Sequence, residues 1–244
     1  MTLEECSRSI HNSMRAYIDV DGDAKLDLDR RKRTGIPEAI YCPGKTHEQI
    51  NAIAATFIRN GFANIIGSRA TEEVADALQR EFPSTQYYPL SRILVFNPKE
   101  QENLIGNVGI ITAGTSDLAV AEEVKIICNV LGSKTVTIAD VGIASIQRTL
   151  AHVEEMRAMN VLVVVAGMEG ALPSVIAGLV DVPIIAVPTS IGYGVNAGGY
   201  NALLSNLGSC VPGIVTVNID NGFGAACAAH KINHAIAVSP AKQQ

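Results

Sequence analysis

The fold is decided by residues 161–188, which read VLVVVAGMEGALPSVIAGLVDVPIIAVP. The run Val161–Ala166 is apolar, rich in valine and too short for a helix, so it predicts a buried strand. Gly167–Gly170 then turns the chain into a predicted helix over Ala171–Leu179. A second apolar run, Ile184–Val187, predicts another buried strand. The stretch is therefore one strand–helix–strand unit, the building block of a parallel sheet.

Glu169 lies in the turn of this unit, at the carboxyl end of the first strand and just before the helix. Open parallel sheets bind their ligands at the carboxyl ends of their strands. A carboxylate at that edge is a candidate for general acid or base chemistry.

Composition excludes several classes of protein. The 244 residues suit one large domain or two small ones, and 48% of them are hydrophobic, enough for a sizeable core. A net charge of −5 argues against binding to nucleic acid or to a membrane surface. No apolar run approaches the ~18 residues of a membrane span, and the first residues lack the apolar core of a signal peptide. Five cysteines without CxxC spacing indicate reduced thiols, so we expect a cytoplasmic α/β protein.

Residues 1–103 predict a small α/β domain that begins with an irregular arm. Residues 1–24 suggest a short helix and a polar break, and the charge run at 25–35 predicts a solvated arm. Alternatively, three arginines of this run fold over an anionic ligand; they are Arg30, Arg31 and Arg33. The elements predicted after it are strands over 37–41 and 64–67, helices over 46–60 and 71–81, and an extended stretch over 87–97.

Residues 104–244 predict a larger domain in which strands and helices alternate. Such alternation implies a parallel sheet with helices on both faces, a three-layer α/β fold. The predicted strands are 108–112, 135–139, 161–166, 184–187 and 214–217, and the predicted helices lie near 117–131, 144–158, 171–179, 200–208 and 224–235.

Loops at the carboxyl edge of this sheet carry most of the candidate ligand-binding residues. The loop at 112–117 is rich in hydroxyl groups and leads directly into a helix, whose free N–H groups attract phosphate or carboxylate. An ordinary helix cap by Ser116 or Asp117 explains the same residues equally well. The next loop offers the pair Asp140 and Arg148.

The last segment of the chain gives weaker signals. Residues 218–224 partly mimic GxGxxG, but Cys227 holds the position of the third glycine, so a dinucleotide-binding fold of the usual kind is not expected. Cys210, at a helix end, is either a small buried hydrophobe or a nucleophile. His230 and His234 share a helix face without a third metal ligand in sight, so we interpret them as surface or packing residues.

Three segments of the second domain resemble the PurE-type aminoimidazole ribonucleotide (AIR) carboxylases and mutases. Residues 166–188 resemble their AGxAAHLPG…PVIGVP segment, residues 114–117 their GSxSD turn, and residues 145–149 their SAHRT segment. One departure is decisive: Ala171 stands where those enzymes carry a catalytic histidine, and Glu169 is introduced two positions earlier. Without the imidazole, the proton shuttle of a mutase is lost.

A longer resemblance, from about residue 27 to residue 235, is to the LarB family. These are the pyridinium-3,5-biscarboxylic acid mononucleotide synthases of nickel-pincer nucleotide cofactor biosynthesis. The resemblance implies a PurE- or flavodoxin-like catalytic domain that forms a homo-oligomer, expected to be an octamer. The segments that carry it read DLDRRKRTGIPEAIYCPGKT, TAGTSDLAVAEE, DVGIA, VAGMEGALPSVIAGLVDVPIIAVPTSIGYG and NLGSCVPGIVTVNIDNGFGAA.

The resemblance implies two reactions on nicotinic acid adenine dinucleotide, with Mg²⁺ as cofactor. One adds CO2 to carbon 5 of the pyridinium ring, and the other hydrolyses the phosphoanhydride and releases AMP. The electron-poor ring does not attack CO2, whereas addition of a thiolate to ring carbon 4 makes carbon 5 nucleophilic. By the same resemblance, the family's cysteine falls on Cys210 and its base on Glu169.

The other site residues are hypotheses from chemistry and partial motif matching. Phosphates need cations and backbone donors, and hard carboxylate oxygens suit magnesium or ribose. The arginines of residues 30–33 are expected to hold the adenylate half. The predicted magnesium ligands are Asp117, Asp140 and Asp220, and the predicted substrate-binding residues are Thr115, Ser116, Asp117, Arg148, Gly170, Thr189, Ser190, Gly192, Tyr193 and Asn221.

Two other functions stay open. One is an AIR carboxylase or mutase, against which Ala171 speaks. The other is a non-catalytic dinucleotide-binding or scaffold module, in which Cys210 and Glu169 are replaceable. A thiol that alkylates slowly would favour the binding module, because a nucleophilic cysteine should be activated.

Overall fold

The computed structural model describes residues 17–20 and 22–238. The chain divides into two compact units, Met1–Lys99 and Glu100–Gln244. Most of the helix suggested for residues 1–24 lies outside the described residues. Where the chain is described, Ile18–Val20 is a strand that pairs with Ala24–Leu26 in an antiparallel hairpin.

The N-terminal unit is a small α/β structure with a mixed sheet. Its elements are β1 (Ile18–Val20), β2 (Ala24–Leu26), α1 (Arg30–Thr34), β3 (Ile40–Tyr41), α2 (His47–Arg59), β4 (Ile65–Ser68), α3 (Glu72–Glu81), β5 (Gln86–Tyr88) and β6 (Ile93–Phe96). The strand order in this sheet is β3-β4-β6-β5, with β3 and β4 parallel and the other neighbouring pairs antiparallel.

Helix α2 shows why these residues fold locally as they do. Thr46 and Gln49 cap it reciprocally, each side chain bonding the backbone of the other. Its buried positions recur at spacings of three and four, which turns one apolar stripe toward the sheet; they are Ile50, Ile53, Ala54 and Phe57. The extended stretch predicted over 87–97 is instead two strands, β5 and β6, which form an antiparallel pair.

The C-terminal unit is the predicted three-layer α/β structure. The helix predicted over 144–158 is instead two short helices, because residues 151–152 form a turn that interrupts it. The elements are β7 (Ile105–Thr112), α4 (Leu118–Leu131), β8 (Ser133–Ile138), α5 (Ile146–Leu150), α6 (Val153–Arg157), β9 (Val161–Ala166), α7 (Leu172–Ala177), β10 (Ile184–Pro188), α8 (Tyr200–Leu207), β11 (Ile214–Thr216) and α9 (Gly222–Ala237).

All neighbouring strands of the five-stranded sheet are parallel, in the order β11-β10-β9-β7-β8. This is the flavodoxin-like order, in which the sheet grows from β7 first to one side and then to the other. Strand β9 lies at the centre and all six of its residues are buried, as expected for a strand covered on both faces.

Helices cover the two faces of this sheet. Helices α4 and α9 pack against each other and against the strands. Alternate residues of β9 pack with residues of α6 and α7 in a separate hydrophobic cluster. This cluster includes Leu162, Val164, Met156, Leu172 and Ile176. Among the described residues, no helix is both long and apolar enough to cross a membrane.

The amino edge of the sheet holds a buried polar cluster. The Asn233 amide donates to the Ile105 carbonyl and to Ser133 Oγ, each at 2.9 Å. Asn160 Nδ2 donates to Asn233 Oδ1 at 2.8 Å, and His230 Nδ1 lies 2.9 Å from Ser133 Oγ. Because these groups satisfy one another, they join α9 to the starts of β7, β8 and β9. The prediction that His230 serves in packing fits this position.

Candidate functional site

The strand order reverses between β7 and β9, so a crevice is expected at the carboxyl ends of these two strands. The loop after β7 carries Thr115 and Ser116, both exposed. The turn after β9 carries Glu169, which is also exposed. The topology therefore brings the hydroxyl-rich loop and the candidate base to the same switch point of the sheet.

Asp117 lies beneath this surface and ties the surrounding loops together. Its side chain is only 4% exposed. Oδ1 accepts from the Thr189 hydroxyl at 2.9 Å, and Oδ2 accepts from the Gly114 N–H at 3.0 Å. The Gly167 N–H is a further donor. Burial raises the pKa of the Asp117 carboxyl, although these hydrogen bonds act in the opposite direction.

Asp117 and Thr189, both predicted to bind substrate, therefore satisfy each other inside the protein. Thr189 is fully buried. Through the two residues, the loops after β7 and β10 and the turn after β9 are held in one arrangement. Their part in the site is to position the exposed residues of those loops.

The turn after β9 has an unusual backbone. Met168 and Gly170 have φ of 53° and 65°, in the left-handed region. The Met168 N–H donates to the Ile191 carbonyl at 2.8 Å. Gly170 packs so closely on α8 that a Cβ atom there would lie 2.8 Å from Ala202 Cα. Gly170 is thus required by packing, and the turn presents the Glu169 side chain to solvent.

The second predicted pair is formed. Arg148, on α5, makes an ion pair with Asp140, which follows β8. The Asp140 N–H donates to Thr112 Oγ1 at 3.1 Å, so the pair is fixed to the end of β7. Both charged side chains are about half exposed. An incoming phosphate would have to compete with Asp140 for the guanidinium.

The loops after β10 and β11 are also joined. Asp220 Oδ1 accepts from the Ser190 N–H at 2.8 Å, and the Asp220 N–H donates to the Pro188 carbonyl at 2.9 Å. In the glycine-rich loop after Ser190, a Cβ atom on Gly192 would lie 2.5 Å from the Asn196 carbonyl oxygen. Tyr193 is 75% exposed there. Gly192 therefore permits a tight loop, whose most exposed large side chains, Tyr193 and Val195, are available to a ligand.

The start of α9 is already occupied by protein groups. Asn221 Oδ1 accepts from the Gly224 N–H at 2.8 Å and so caps the helix. The buried carboxylate of Glu123 lies so close that a Cβ atom on Gly222 would be 2.6 Å from Oε2. Because a carboxylate fills this position, the end of the GxGxxG-like sequence does not offer a phosphate site.

Cys210 is exposed and follows α8. Ser209 Oγ lies 2.8 Å from Ser174 Oγ of α7 and accepts from the Val211 N–H at 3.2 Å. The segment with the candidate nucleophile is thereby attached to the helix that begins three residues after Glu169.

The other described thiols lie in different surroundings. Burial raises the pKa of Cys42 to about 11, that of Cys128 to about 12 and that of Cys227 to about 11. Cys210 is thus the exposed cysteine among the described residues.

The three predicted magnesium ligands do not form a ready-made metal site. Asp117 is engaged with Thr189 and Gly114, Asp140 with Arg148, and Asp220 with Ser190. Within 17–20 and 22–238, no group of three His, Cys, Asp or Glu side chains is placed to hold a metal.

The arginine-rich segment of the N-terminal unit is folded and paired. The segment is solvated, as predicted, since no residue of its helix is buried, but it forms strand β2 and helix α1 rather than an arm. Arg33 and Arg30 both pair with Asp27, and Arg30 also pairs with Glu38. The hydrogen bond from Arg33 lowers the pKa of Asp27. A ligand of these arginines would have to displace those carboxylates.

Sequence reasoning missed two features of the site. It gave no sign that Met168 adopts a left-handed conformation, because nothing in the methionine side chain favours it. It also gave no sign that Thr189 and Asp117 are buried, because their burial depends on the packing of distant loops. The pairing of Asp140 with Arg148 could be predicted from the sequence, because both residues belong to one loop–helix segment.

Two family models match the chain. A model described as LarB/PurE-like N-terminal domain matches residues 17–99, and one described as AIR carboxylase matches residues 107–242. An uncharacterized protein of Methanocaldococcus jannaschii is 39% identical over 232 residues, which are 92% of this chain and 89% of that protein. The N5-carboxyaminoimidazole ribonucleotide mutase of the same organism is 37% identical over 128 residues, 50% of this chain and 76% of the mutase.

Solved structures with some similarity come from Treponema denticola. The crystal structure of a PurE2 variant gives a TM-score of 0.42 at 23% identity and covers 52% of this chain and 78% of that one. The crystal structure of a PurE gives a TM-score of 0.39 at 15% identity and covers 53% of this chain and 92% of that one.

Proposed function

The chain belongs to the LarB family, whose second domain is AIR carboxylase-like, and on that premise we propose that it is a pyridinium-3,5-biscarboxylic acid mononucleotide synthase. It carboxylates the pyridinium ring of nicotinic acid adenine dinucleotide with CO2. It also hydrolyses the phosphoanhydride of the dinucleotide, and AMP is the second product. The mononucleotide serves nickel-pincer cofactor synthesis.

One observation carries this proposal: an exposed carboxylate and an exposed thiol are attached to the same helix. Glu169 lies in the turn before α7, and the segment with Cys210 is joined to α7 through the Ser174–Ser209 hydrogen bond. Ala171 stands in the position of the mutase histidine, so the chain has no imidazole there to transfer a proton. A thiol and a carboxylate are the two groups that carboxylation of a pyridinium ring needs.

The proposed carboxylation balances without an external oxidant or reductant. The Cys210 thiolate forms a C–S bond to ring carbon 4, and the electron pair of the ring shifts to make carbon 5 nucleophilic. Carbon 5 forms a C–C bond to CO2. Glu169 then takes the proton from carbon 5, the C–S bond breaks, and the aromatic ring and the thiolate are both restored.

The exposed loop after β7 is the proposed phosphate-binding region. Thr115 and Ser116 lead into the fourteen-residue helix α4, whose N-terminus favours negative charge. Magnesium remains a prediction. In this proposal the magnesium ion would enter the site bound to the phosphates of the dinucleotide, as this ion often does.

An exposed apolar face supports the proposed homo-oligomer. Tyr200, Leu204 and Leu207 lie on one side of α8, at spacings of four and three, and are 70%, 66% and 64% exposed. Val215 of edge strand β11 is 61% exposed. Light scattering should give several times the 25.8 kDa chain mass, and eight copies are the expected number. A monomer at micromolar concentration would contradict this part of the proposal.

The test of the function is product analysis by mass spectrometry. The wild-type protein is incubated with nicotinic acid adenine dinucleotide, magnesium and ¹³C-labelled bicarbonate as the source of CO2. We expect a mononucleotide that carries the label, together with AMP. If the folded protein forms neither product, the proposed function is wrong.

The similarity to the mutase makes an AIR carboxylase or mutase the second candidate. The same incubation with aminoimidazole ribonucleotide, or its N-carboxylated form, distinguishes the two. Because Ala171 cannot shuttle a proton, we expect no turnover of either compound. Turnover of them, with no reaction of the dinucleotide, would favour the mutase.

A further inference from the structure

Left-handed backbone conformations mark the loops at the carboxyl edge of the five-stranded sheet. Within the described part of the C-terminal unit, the residues other than glycine with positive φ are Asp140, Met168 and Asp220, at 59°, 53° and 52°. Aspartate adopts this conformation readily because its short polar side chain bonds locally, whereas methionine gains no such help. Met168 is the residue of the three whose side chain opposes the conformation.

The surroundings of Met168 leave the turn little freedom. A Cβ atom on Gly167 would lie 2.6 Å from Thr189 Oγ1, and Gly170 is pressed against α8. The Met168 N–H is held by the Ile191 carbonyl at 2.8 Å. Met168, the first of the two residues between these glycines, is held by these contacts in the left-handed region, where glycine would be the least strained choice.

A strained residue that glycine could replace points to a use for its side chain. Met168 is half-buried, so part of its side chain remains available to a ligand. It lies at the strand reversal between β7 and β9, directly before Glu169. Met168 is thus an apolar residue adjacent in the chain to the proposed base.

The chemistry of a thioether suits a flat aromatic ring. Sulfur is polarizable, and methionine makes favourable contacts with aromatic groups. An electron-poor pyridinium ring therefore finds in Met168 an apolar, polarizable surface beside a carboxylate.

We propose that Met168 determines specificity for the substrate ring, by forming the apolar surface against which the pyridinium lies while Glu169 faces carbon 5. This inference rests on the proposed function, since it takes the pyridinium dinucleotide as substrate. It adds to that function a residue that selects the ring by contact, with no part in proton transfer.

The test compares the full-length wild type with three variants. Met168→Gly removes the side chain and the backbone strain together. Met168→Asn keeps a residue that tolerates positive φ but replaces the apolar surface. Met168→Leu keeps the apolar volume. For each protein, the thermal unfolding midpoint and the steady-state kcat and KM for nicotinic acid adenine dinucleotide are measured.

We expect Met168→Gly to unfold at the wild-type temperature or above, with KM raised about tenfold and kcat within about threefold, from the loss of one apolar contact. Met168→Asn should raise KM similarly, and Met168→Leu should stay within about threefold of wild type. Wild-type KM in both Met168→Gly and Met168→Asn would overturn the inference. So would a rise in KM that appears only with a lowered unfolding temperature.

Failure of the proposed function gives a different result. If the wild type forms no product from the dinucleotide, both the function and this inference are wrong. If the wild type turns the dinucleotide over and the variants match its KM, only the role of Met168 is wrong.

Discussion

The two edges of the five-stranded sheet use similar polar residues in opposite ways. At the amino edge, Ser133, Asn160, His230 and Asn233 are mutually hydrogen-bonded, and Ser133 and Asn233 are fully buried. At the carboxyl edge, Glu169, Ser116 and Thr115 are exposed, above the buried Asp117–Thr189 pair. A polar group that is hydrogen-bonded inside the fold contributes to stability. One that faces solvent at the point where the strand order reverses is available to bind a substrate or react with it.

The contrast teaches that residue type alone does not locate a site. Serine and asparagine occur at both edges, as Ser133 and Asn233 at the amino edge and as Ser116 and Asn221 at the carboxyl edge. Exposure and the presence of an internal partner separate the two roles. Variants of the exposed residues at the carboxyl edge should therefore change turnover with little effect on folding, and variants of the buried cluster at the amino edge should do the reverse.

The largest effect is expected at Glu169. Glu169→Gln keeps the shape of the side chain but removes the base, so carboxylation should fall about 10²- to 10⁴-fold, the usual contribution of a positioned base. The unfolding temperature should stay within a degree or two, since the side chain is exposed. Steady-state carboxylation assays measure the loss.

The matched control is Glu102→Gln, another exposed glutamate of the same unit. It should leave both turnover and unfolding unchanged. If Glu169→Gln carboxylates at the wild-type rate, Glu169 is not the base.

The next effect is at the amino edge and concerns stability. Asn233→Ala leaves the Ile105 carbonyl, Ser133 and Asn160 without a shared partner. Unfolding in urea should show a loss of about 2 kcal/mol, the usual penalty for buried polar groups left unsatisfied. The kcat of the folded variant should equal that of wild type. A normal stability with lowered kcat would reverse the roles assigned to the two edges.

The rate of alkylation should distinguish Cys210 from the buried cysteines, an effect smaller than the two above but specific to one residue. With iodoacetamide at pH 8, Cys210 should be alkylated before the other described thiols. Burial and pKa values of about 11 to 12 keep Cys42, Cys128 and Cys227 protonated at that pH. Raising the pH toward 11 should narrow the difference. Peptide mapping by mass spectrometry measures the alkylation of each cysteine separately. Equal alkylation rates for Cys210 and the other three cysteines at pH 8 would contradict their difference in burial.

The smallest effect is the pH dependence contributed by Asp117. Its raised pKa means that the native state binds more protons than the unfolded state above the ordinary value of 3.8. The free energy of unfolding therefore decreases as pH rises from 3.8 through the raised pKa. Asp117→Asn removes this decrease, while losing one acceptor at every pH. Relative to wild type, the variant should gain stability as pH rises through that window, and the opposite slope would contradict the effect of burial.

The sequence predicted the architecture of the C-terminal unit well because each buried strand is a short apolar run between turns. Val161–Ala166 is the clearest case, and its predicted bounds are those observed. The N-terminal hairpin was missed because three-residue strands such as Ile18–Val20 give no periodic pattern. The break between α5 and α6 was missed because residues 151–152 contain neither glycine nor proline.

The candidate site was predictable only in outline. Positions such as Glu169 and Asp140 follow strands, so their placement at one edge followed from topology. The burial of Asp117 and Thr189 and the conformation of Met168 depend on contacts between loops far apart in sequence. No local pattern encodes such contacts.

The central claim is that the Cys210 thiol activates the ring by covalent addition, and the most direct test is the Cys210→Ala variant. Wild type and variant are incubated with nicotinic acid adenine dinucleotide, magnesium and ¹³C-labelled bicarbonate, and the labelled mononucleotide and AMP are measured separately by mass spectrometry. The account predicts that the variant, folded as well as wild type, forms no labelled mononucleotide. Carboxylation by Cys210→Ala at the wild-type rate would contradict it.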